Sequence, residues 1–114
     1  MKQGNQFYLE IQIYDNEDNL LDVGSVEKVQ FVIQDLVKIY DGTSSDVSYD
    51  ESKSCFVIYL TEDETFNFKE KIKIDVRIMY KKDENGNNTI NGTYIDSFYW
   101  YDSLKQIKMS DGEI

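Results

Sequence analysis

A period-two alternation of apolar and charged residues, most regular over residues 69–80, constrains the fold of this chain more than any other feature. Ile72, Ile74, Val76 and Ile78 alternate there with lysine, aspartate and arginine. Successive side chains of a β-strand point to opposite faces of the sheet. The pattern therefore predicts a strand with one buried face and one solvated face.

The same alternation recurs along the chain, with turn-forming residues between the repeats. We predict strands over residues 6–14, 20–23, 26–34, 55–60, 69–80, 94–101 and 104–109. The alternation slips between Ile95 and Phe98, which indicates a bulge. Asn85-Gly86 is a pair favoured in hairpin turns, and residues 41–46 form a polar loop. Residues 61–65 have the spacing of a capping box and predict a short turn between strands.

Seven or so short strands in a chain of 114 residues predict one domain, spanning residues 1–114, with a single core. We predict an all-β fold, an immunoglobulin-like antiparallel β-sandwich of about seven strands. A partly open β-barrel is the alternative, because the two architectures share the same strand pattern.

The charge balance argues against polyanionic partners. Twelve basic and 22 acidic residues give a net charge of −10. Most of the surface is therefore negatively charged and is repelled by nucleic acid and by anionic membranes. Half of the basic residues lie within residues 69–82, where we predict a solvated face paired across strands with acidic neighbours. No run of about 18 apolar residues and no signal peptide is present, so we expect synthesis in the cytoplasm without membrane association.

The residue types available limit the chemistry. The chain has no histidine and one cysteine, which excludes Ser-His-Asp and Cys-His catalysis and any internal disulfide. Cys55 lies in an apolar run and is interpreted as a buried or half-buried small apolar residue. A hydrolase built on paired carboxylates stays as an alternative. We predict no enzymatic activity and no cofactor.

Two segments, beginning at Asp15 and at Asp83, imitate the first three ligands of a calcium-binding loop. Both lack the glycine expected at the sixth position and the glutamate expected at the twelfth. We therefore interpret them as solvated turns and predict no metal site. Weak calcium binding by the loop 15–22 stays open.

The aromatic strand 94–101 supplies the candidate binding residues. Alternation places Phe98 and Trp100 on one face and Tyr99 and Tyr101 on the other. Tyrosine and tryptophan are favoured interface anchors because they bury a large area and keep a polar group. We predict that Tyr94, Tyr99 and Tyr101 form a binding surface if the core does not cover them.

The order of several pieces resembles that of a known group of proteins. The pieces are Lys2-Gln3-Gly4 before the first strand, Leu60-Thr61-Glu62-Asp63-Glu64-Thr65, Phe68-Lys69, the alternating stretch Ile72-Lys73-Ile74-Asp75-Val76-Arg77-Ile78, and Asp102-Ser103-Leu104. Together they resemble small proteins encoded among prophage structural genes of low-GC Gram-positive bacteria. The opening is also similar to the amino-terminal sandwich of phage baseplate upper proteins.

This resemblance implies a non-enzymatic phage or prophage structural protein, an assembly module associated with a tail or baseplate. It implies protein partners, which can include further copies of the chain, and no active site. The expected location is the virion, after synthesis in the bacterial cytoplasm. The alternative function is a carbohydrate-binding or cell-surface ligand-binding β-sandwich that uses the same tyrosines.

Overall fold

Two four-stranded β-sheets, packed face to face, form the computed structural model, which describes residues 7–15, 17–99 and 105–109. The strands are β1 (Phe7–Tyr14), β2 (Val26–Ile33), β3 (Leu36–Tyr40), β4 (Val47–Asp50), β5 (Cys55–Leu60), β6 (Lys71–Tyr80), β7 (Ile90–Tyr99) and β8 (Lys105–Lys108). Sheet A has the strand order β4-β5-β1-β8 and sheet B the order β3-β2-β6-β7. All pairings are antiparallel except that of β1 with β8.

The predicted all-β sandwich is confirmed, and no strand pairing among the described residues closes the two sheets into a barrel. The strand count is eight. The likeness of this sandwich to immunoglobulin domains stays a prediction.

Three details of the strand prediction change. The segment 20–23 is not a strand, because Leu20 makes one isolated bridge to Tyr14 and a 3-10 turn (Val23–Ser25) follows. Strands β3 and β4 were not predicted. The bulge is confirmed, since Ile72 pairs with Phe98 but Ile74 pairs with Ile95.

The core lies between the inward faces of the sheets and is organised around Phe56. This fully buried ring of β5 lies 5.6 Å from the ring of Phe31 on the opposite sheet. The rings of Tyr40 and Tyr49 meet Phe56 edge-on at 5.1 Å and 5.0 Å. Edge-to-face contacts are a favoured geometry for aromatic pairs, so one side chain joins three strands besides its own.

A five-residue helix, α1 (Glu62–Phe66), connects β5 to β6. The Thr61 hydroxyl accepts a hydrogen bond from the Glu64 amide, and the Glu64 carboxylate accepts one from the Thr61 amide. The predicted capping box is thereby confirmed, and the predicted short turn is a helical one. These reciprocal bonds satisfy amides that have no partner within a helix.

Gln34 fixes the two-residue turn between β2 and β3. Its φ of 57° lies in the left-handed region. Its side-chain amide donates to the Asn67 carbonyl (3.1 Å) and accepts from the Lys69 amide (3.0 Å). The turn is therefore joined to the connection between α1 and β6.

We predict that Gln34→Ala lowers the free energy of unfolding by about 1–2 kcal/mol, because two side-chain hydrogen bonds are lost. Gln34→Gly loses the same bonds but removes the Cβ penalty at positive φ, so it should be less destabilised than the alanine variant by about 0.5–1 kcal/mol. Urea unfolding measures both, with Asp35→Ala as the exposed control in the same turn. A glycine variant less stable than the alanine variant would contradict the assigned turn geometry.

Candidate functional site

Of the three tyrosines of the predicted binding surface, the structure describes the side-chain surroundings of Tyr99 alone. Tyr99 is half-buried on β7, opposite Lys71, whose ammonium lies 5.1 Å from the ring centroid. This is a cation–π contact across the sheet. The backbone of Tyr94 pairs with that of Asp75, and Tyr101 lies outside the described residues. Of the three, only Tyr99 has a described environment, and a lysine already contacts its ring.

The basic residues of β6 line the outer face of sheet B as predicted. Lys71 and Arg77 are exposed on this face, but among the described strand pairings no acidic residue stands directly opposite either of them. Tyr99 stands opposite Lys71, and Arg77 stands between Gln30 and Gly92. The prediction of acidic cross-strand pairs is therefore wrong at these two positions.

The register of β3 places two apolar residues on the same outer face. The two-residue turn sets Ile33 opposite Leu36, and Ile33 points into the core. Directly opposed residues of antiparallel strands share a face. Lys38 is therefore directed inward with Leu36, while Val37 and Ile39 face outward and are 51% and 39% exposed.

The backbone of β3 is open along one side. The backbone amide of Gln34 donates to the Lys73 carbonyl of β6. The even-numbered residues of β2 therefore direct their backbone groups toward β6, and the odd-numbered residues direct theirs toward β3. In an antiparallel ladder only alternate residues bond the neighbouring strand. Val37 and Ile39 are the alternate residues whose backbone points away from β2. Neither makes another backbone hydrogen bond within the described part of the chain.

The other edge strands present different surfaces. The outward residues of β4 include Ser48 and those of β8 include Gln106 and Lys108, all polar. Strand β7 is interrupted by its bulge. Short strands, lysines and bulges all discourage edge pairing. Of the edge strands β3, β4 and β8, as far as the structure describes them, β3 combines open backbone groups with exposed β-branched side chains.

Lys38 and Glu64 form an ion pair beneath this edge. The Lys38 ammonium lies 2.9 Å from the Glu64 carboxylate, and the two side chains are 5% and 22% exposed. Burial raises the pKa of Glu64, but the hydrogen bond from the Thr61 amide and the interaction with Lys38 outweigh it. The pKa is therefore lowered from its ordinary value of 4.5. The carboxylate thus links β3 to the start of α1.

This lowered pKa predicts a pH-dependent contribution to stability. A carboxyl whose pKa is lower in the folded than in the unfolded state stabilises the fold above its ordinary pKa of 4.5. That contribution is lost as the pH falls through the folded-state value. We expect the stability difference between the wild type and Glu64→Gln, measured by urea unfolding, to be largest at neutral pH and to shrink as the pH falls below the ordinary pKa of 4.5. A difference independent of pH would contradict an ionised Glu64.

A concavity of about 300 Å³ lies where α1 approaches the start of β3. Its lining includes the apolar side chains of Leu36 and Phe68 and the carboxylates of Asp35 and Asp63. Asp35 and Asp63 are exposed, and neither forms an ion pair with the residues that the structure describes. The concavity therefore combines an apolar wall with unneutralised negative charge.

The two calcium-like segments are used as turns. Asp15 accepts hydrogen bonds from the amides of Glu17 and Asn19, and Asp83 accepts them from Asn85 and Asn87. The bond from Asn19 is the main cause of the lowered pKa of Asp15. The repeated Asp/Asn spacing thus has a structural explanation. Across residues 7–15, 17–99 and 105–109, no cluster of three potential metal ligands is found.

Cys55 is fully buried, as predicted. Burial is the main cause of the raised pKa of its thiol, which leaves little reactive thiolate. Sheet A carries a different exposed feature, the ring pair of Tyr8 and Tyr59 on β1 and β5, with centroids 5.3 Å apart. Sequence reasoning identified neither this pair nor the β3 edge.

Comparison with protein-family models, curated proteins and solved structures finds no match to this chain. In the part of the chain that the structure describes, no helix has the length and apolar character needed to cross a membrane.

Proposed function

We propose that this chain is a non-enzymatic structural module of a phage or prophage, associated with the tail or baseplate and acting through protein contacts. The observation that carries this proposal is the open edge of β3. Exposed Val37 and Ile39 accompany unpaired backbone groups there. Such an edge can accept a further strand from another chain.

The described segments that carry the sequence resemblance lie in the core and in the connection between the two sheets. Leu60 and Phe68 of the resembling stretch are core residues, and Thr61 and Glu64 form the capping box. The apolar residues of β6 point from sheet B into the core between the two sheets. The described residues that carry the sequence resemblance therefore belong to the framework that connects the two sheets, and the proposed phage role rests on that resemblance together with the open edge.

An experiment on particles tests the proposal. Phage particles released by induction of the encoding bacterium are purified and probed with an antibody against this chain. We expect to find the wild-type chain in tail-containing fractions. We expect the Ile39→Lys variant to be missing from these fractions although its melting temperature equals that of the wild type. Val57→Lys, at a half-buried position on the outer face of sheet A, is the control. Absence of the wild-type chain from particles would overturn the proposal.

The Tyr8 and Tyr59 rings favour a second candidate, a carbohydrate-binding or cell-surface ligand-binding module. Exposed aromatic rings can bury apolar area against a ligand, and Tyr8 is 61% exposed. Titration with soluble cell-wall oligosaccharides, followed by NMR, tests this function. Saturable shifts confined to β1 and β5 that disappear in Tyr8→Ala would support it, and unchanged spectra would remove it.

A further inference from the structure

We propose that the β3 edge and the concavity beside α1 together bind one extended partner segment, which is apolar in its middle and carries Lys or Arg at its ends. The inference deepens the proposed function and rests on it for its biological meaning. It specifies the chemistry of the partner, which the open edge alone does not.

The middle of the segment follows from the outward residues of β3. A strand added antiparallel would bond the backbone groups of Val37 and Ile39, which are two residues apart. The partner residues directly opposite them would share the outer face, where Val32 of β2 extends the same apolar surface. Pairs of β-branched or aromatic residues across strands are favourable. Two apolar residues with one residue between them therefore suit this position.

The ends of the segment follow from charge. Asp35 precedes β3 and Asp41 follows it, and both are exposed. At the Asp35 end, the concavity adds Asp63 beside the apolar walls of Leu36 and Phe68. A Lys or Arg side chain can lay its aliphatic stem on such walls and keep its charged group near carboxylates. The net charge of −10 also favours a basic partner segment, because it attracts positive charge at longer range.

The same charges argue against a second copy of this chain as the occupant. A symmetric antiparallel pairing that sets Val37 opposite Ile39 of the other copy would also set Asp35 opposite Asp41 at both ends. Like charges directly opposite each other destabilise a strand pair. Two chains that each carry a net charge of −10 also repel at longer range.

Lys38 does not block the edge. An inward charge on an edge strand discourages pairing when an added strand would have to bury it. Here the Lys38 side chain is already buried, with 5% of its surface exposed, and it is paired with Glu64 of its own chain. An added strand would therefore bury no new unpaired charge.

The test uses the full chain and a synthetic peptide with blocked ends, Lys-Thr-Ile-Thr-Val-Thr-Lys, followed by amide NMR. We expect saturable shifts at the Val37 and Ile39 amides, with a dissociation constant on the order of 1 mM. The same peptide with Glu at both ends should bind at least about tenfold more weakly. Asp35→Asn/Asp63→Asn should weaken binding of the Lys-ended peptide about fivefold. Asp83→Asn/Glu84→Gln, which removes two charges from the loop between β6 and β7, should not weaken binding.

Equal binding of the two peptides, shifts located elsewhere, or no saturable shift below roughly 5 mM peptide would overturn the inference. Concentration-dependent self-association through Val37 and Ile39 would replace the partner segment by a second copy, and so would also overturn it. Failure of the proposed function is distinguishable. If the chain is absent from particles but prefers the Lys-ended peptide, only the proposed phage role is contradicted. If the Ile39→Lys variant is lost from particles but the chain does not distinguish the two peptides, only the proposed partner chemistry is contradicted.

Discussion

Replacing Phe56 with alanine is expected to lower the free energy of unfolding by about 4 kcal/mol. The ring is fully buried and contacts Phe31 of the opposite sheet as well as Tyr40 and Tyr49. Its removal leaves a cavity that side chains fixed on two different sheets cannot readily fill. Urea unfolding followed by circular dichroism measures the loss.

Val57→Ala is the matched control, because Val57 is the next residue of β5 but is half-buried on the outer face. Its expected cost is below about 1 kcal/mol. If the two variants lost equal stability, β5 would not face the core as described, and the sandwich register would be wrong.

Replacing Glu64 with alanine is expected to cost about 3 kcal/mol. The change leaves the buried ammonium of Lys38 without its counter-charge and removes the acceptor of the Thr61 amide. Glu62→Ala, an exposed position in the same helical turn, should change stability by less than about 0.5 kcal/mol. Urea unfolding at pH 7 compares the two variants.

A paired substitution separates the ion pair from the capping box. Glu64→Gln keeps an acceptor for the Thr61 amide but leaves Lys38 charged and unpaired. Adding Lys38→Met removes that charge and retains a side chain of similar length, so the double variant should be more stable than Glu64→Gln alone. A further loss of stability in the double variant would show that Lys38 contributes by something other than pairing with Glu64.

The sequence was most informative where the hydrophobic pattern and the register agree. Strand β6 alternates strictly, and its isoleucines and Val76 are all buried. Strand β5 has the predicted limits, and the slip between Ile95 and Phe98 is the bulge. In β5 and β6, burial of one face fixes the register, because a slip of one residue would expose every buried side chain.

Strand β3 shows why the candidate site escaped prediction. Alternation alone would place Val37 and Ile39 in the core and Lys38 in solvent. The two-residue turn imposes the opposite arrangement by setting Leu36 across from Ile33. That turn uses Gln34-Asp35, without the asparagine or glycine that usually marks such turns. Its side-chain bonds come from residues more than 30 positions away, which a local pattern does not reveal.

The aromatic strand β7 shows a second property that a local pattern does not reveal. An aromatic-rich strand indicates that large side chains need cover, but its composition does not say which element covers them. For Tyr99 part of that cover is Lys71 of the adjacent strand. The binding role of Tyr94, Tyr99 and Tyr101 stays a prediction.

Amide hydrogen exchange along β3 in the isolated chain tests most directly whether this strand is an open edge. The Lys38 amide faces Phe31 of β2 in the ladder, so it should exchange slowly. The Val37 and Ile39 amides should exchange at rates close to those of the loop 41–46. Equal protection of Val37, Lys38 and Ile39 would mean that another element covers the edge, and would contradict the docking surface proposed for this chain.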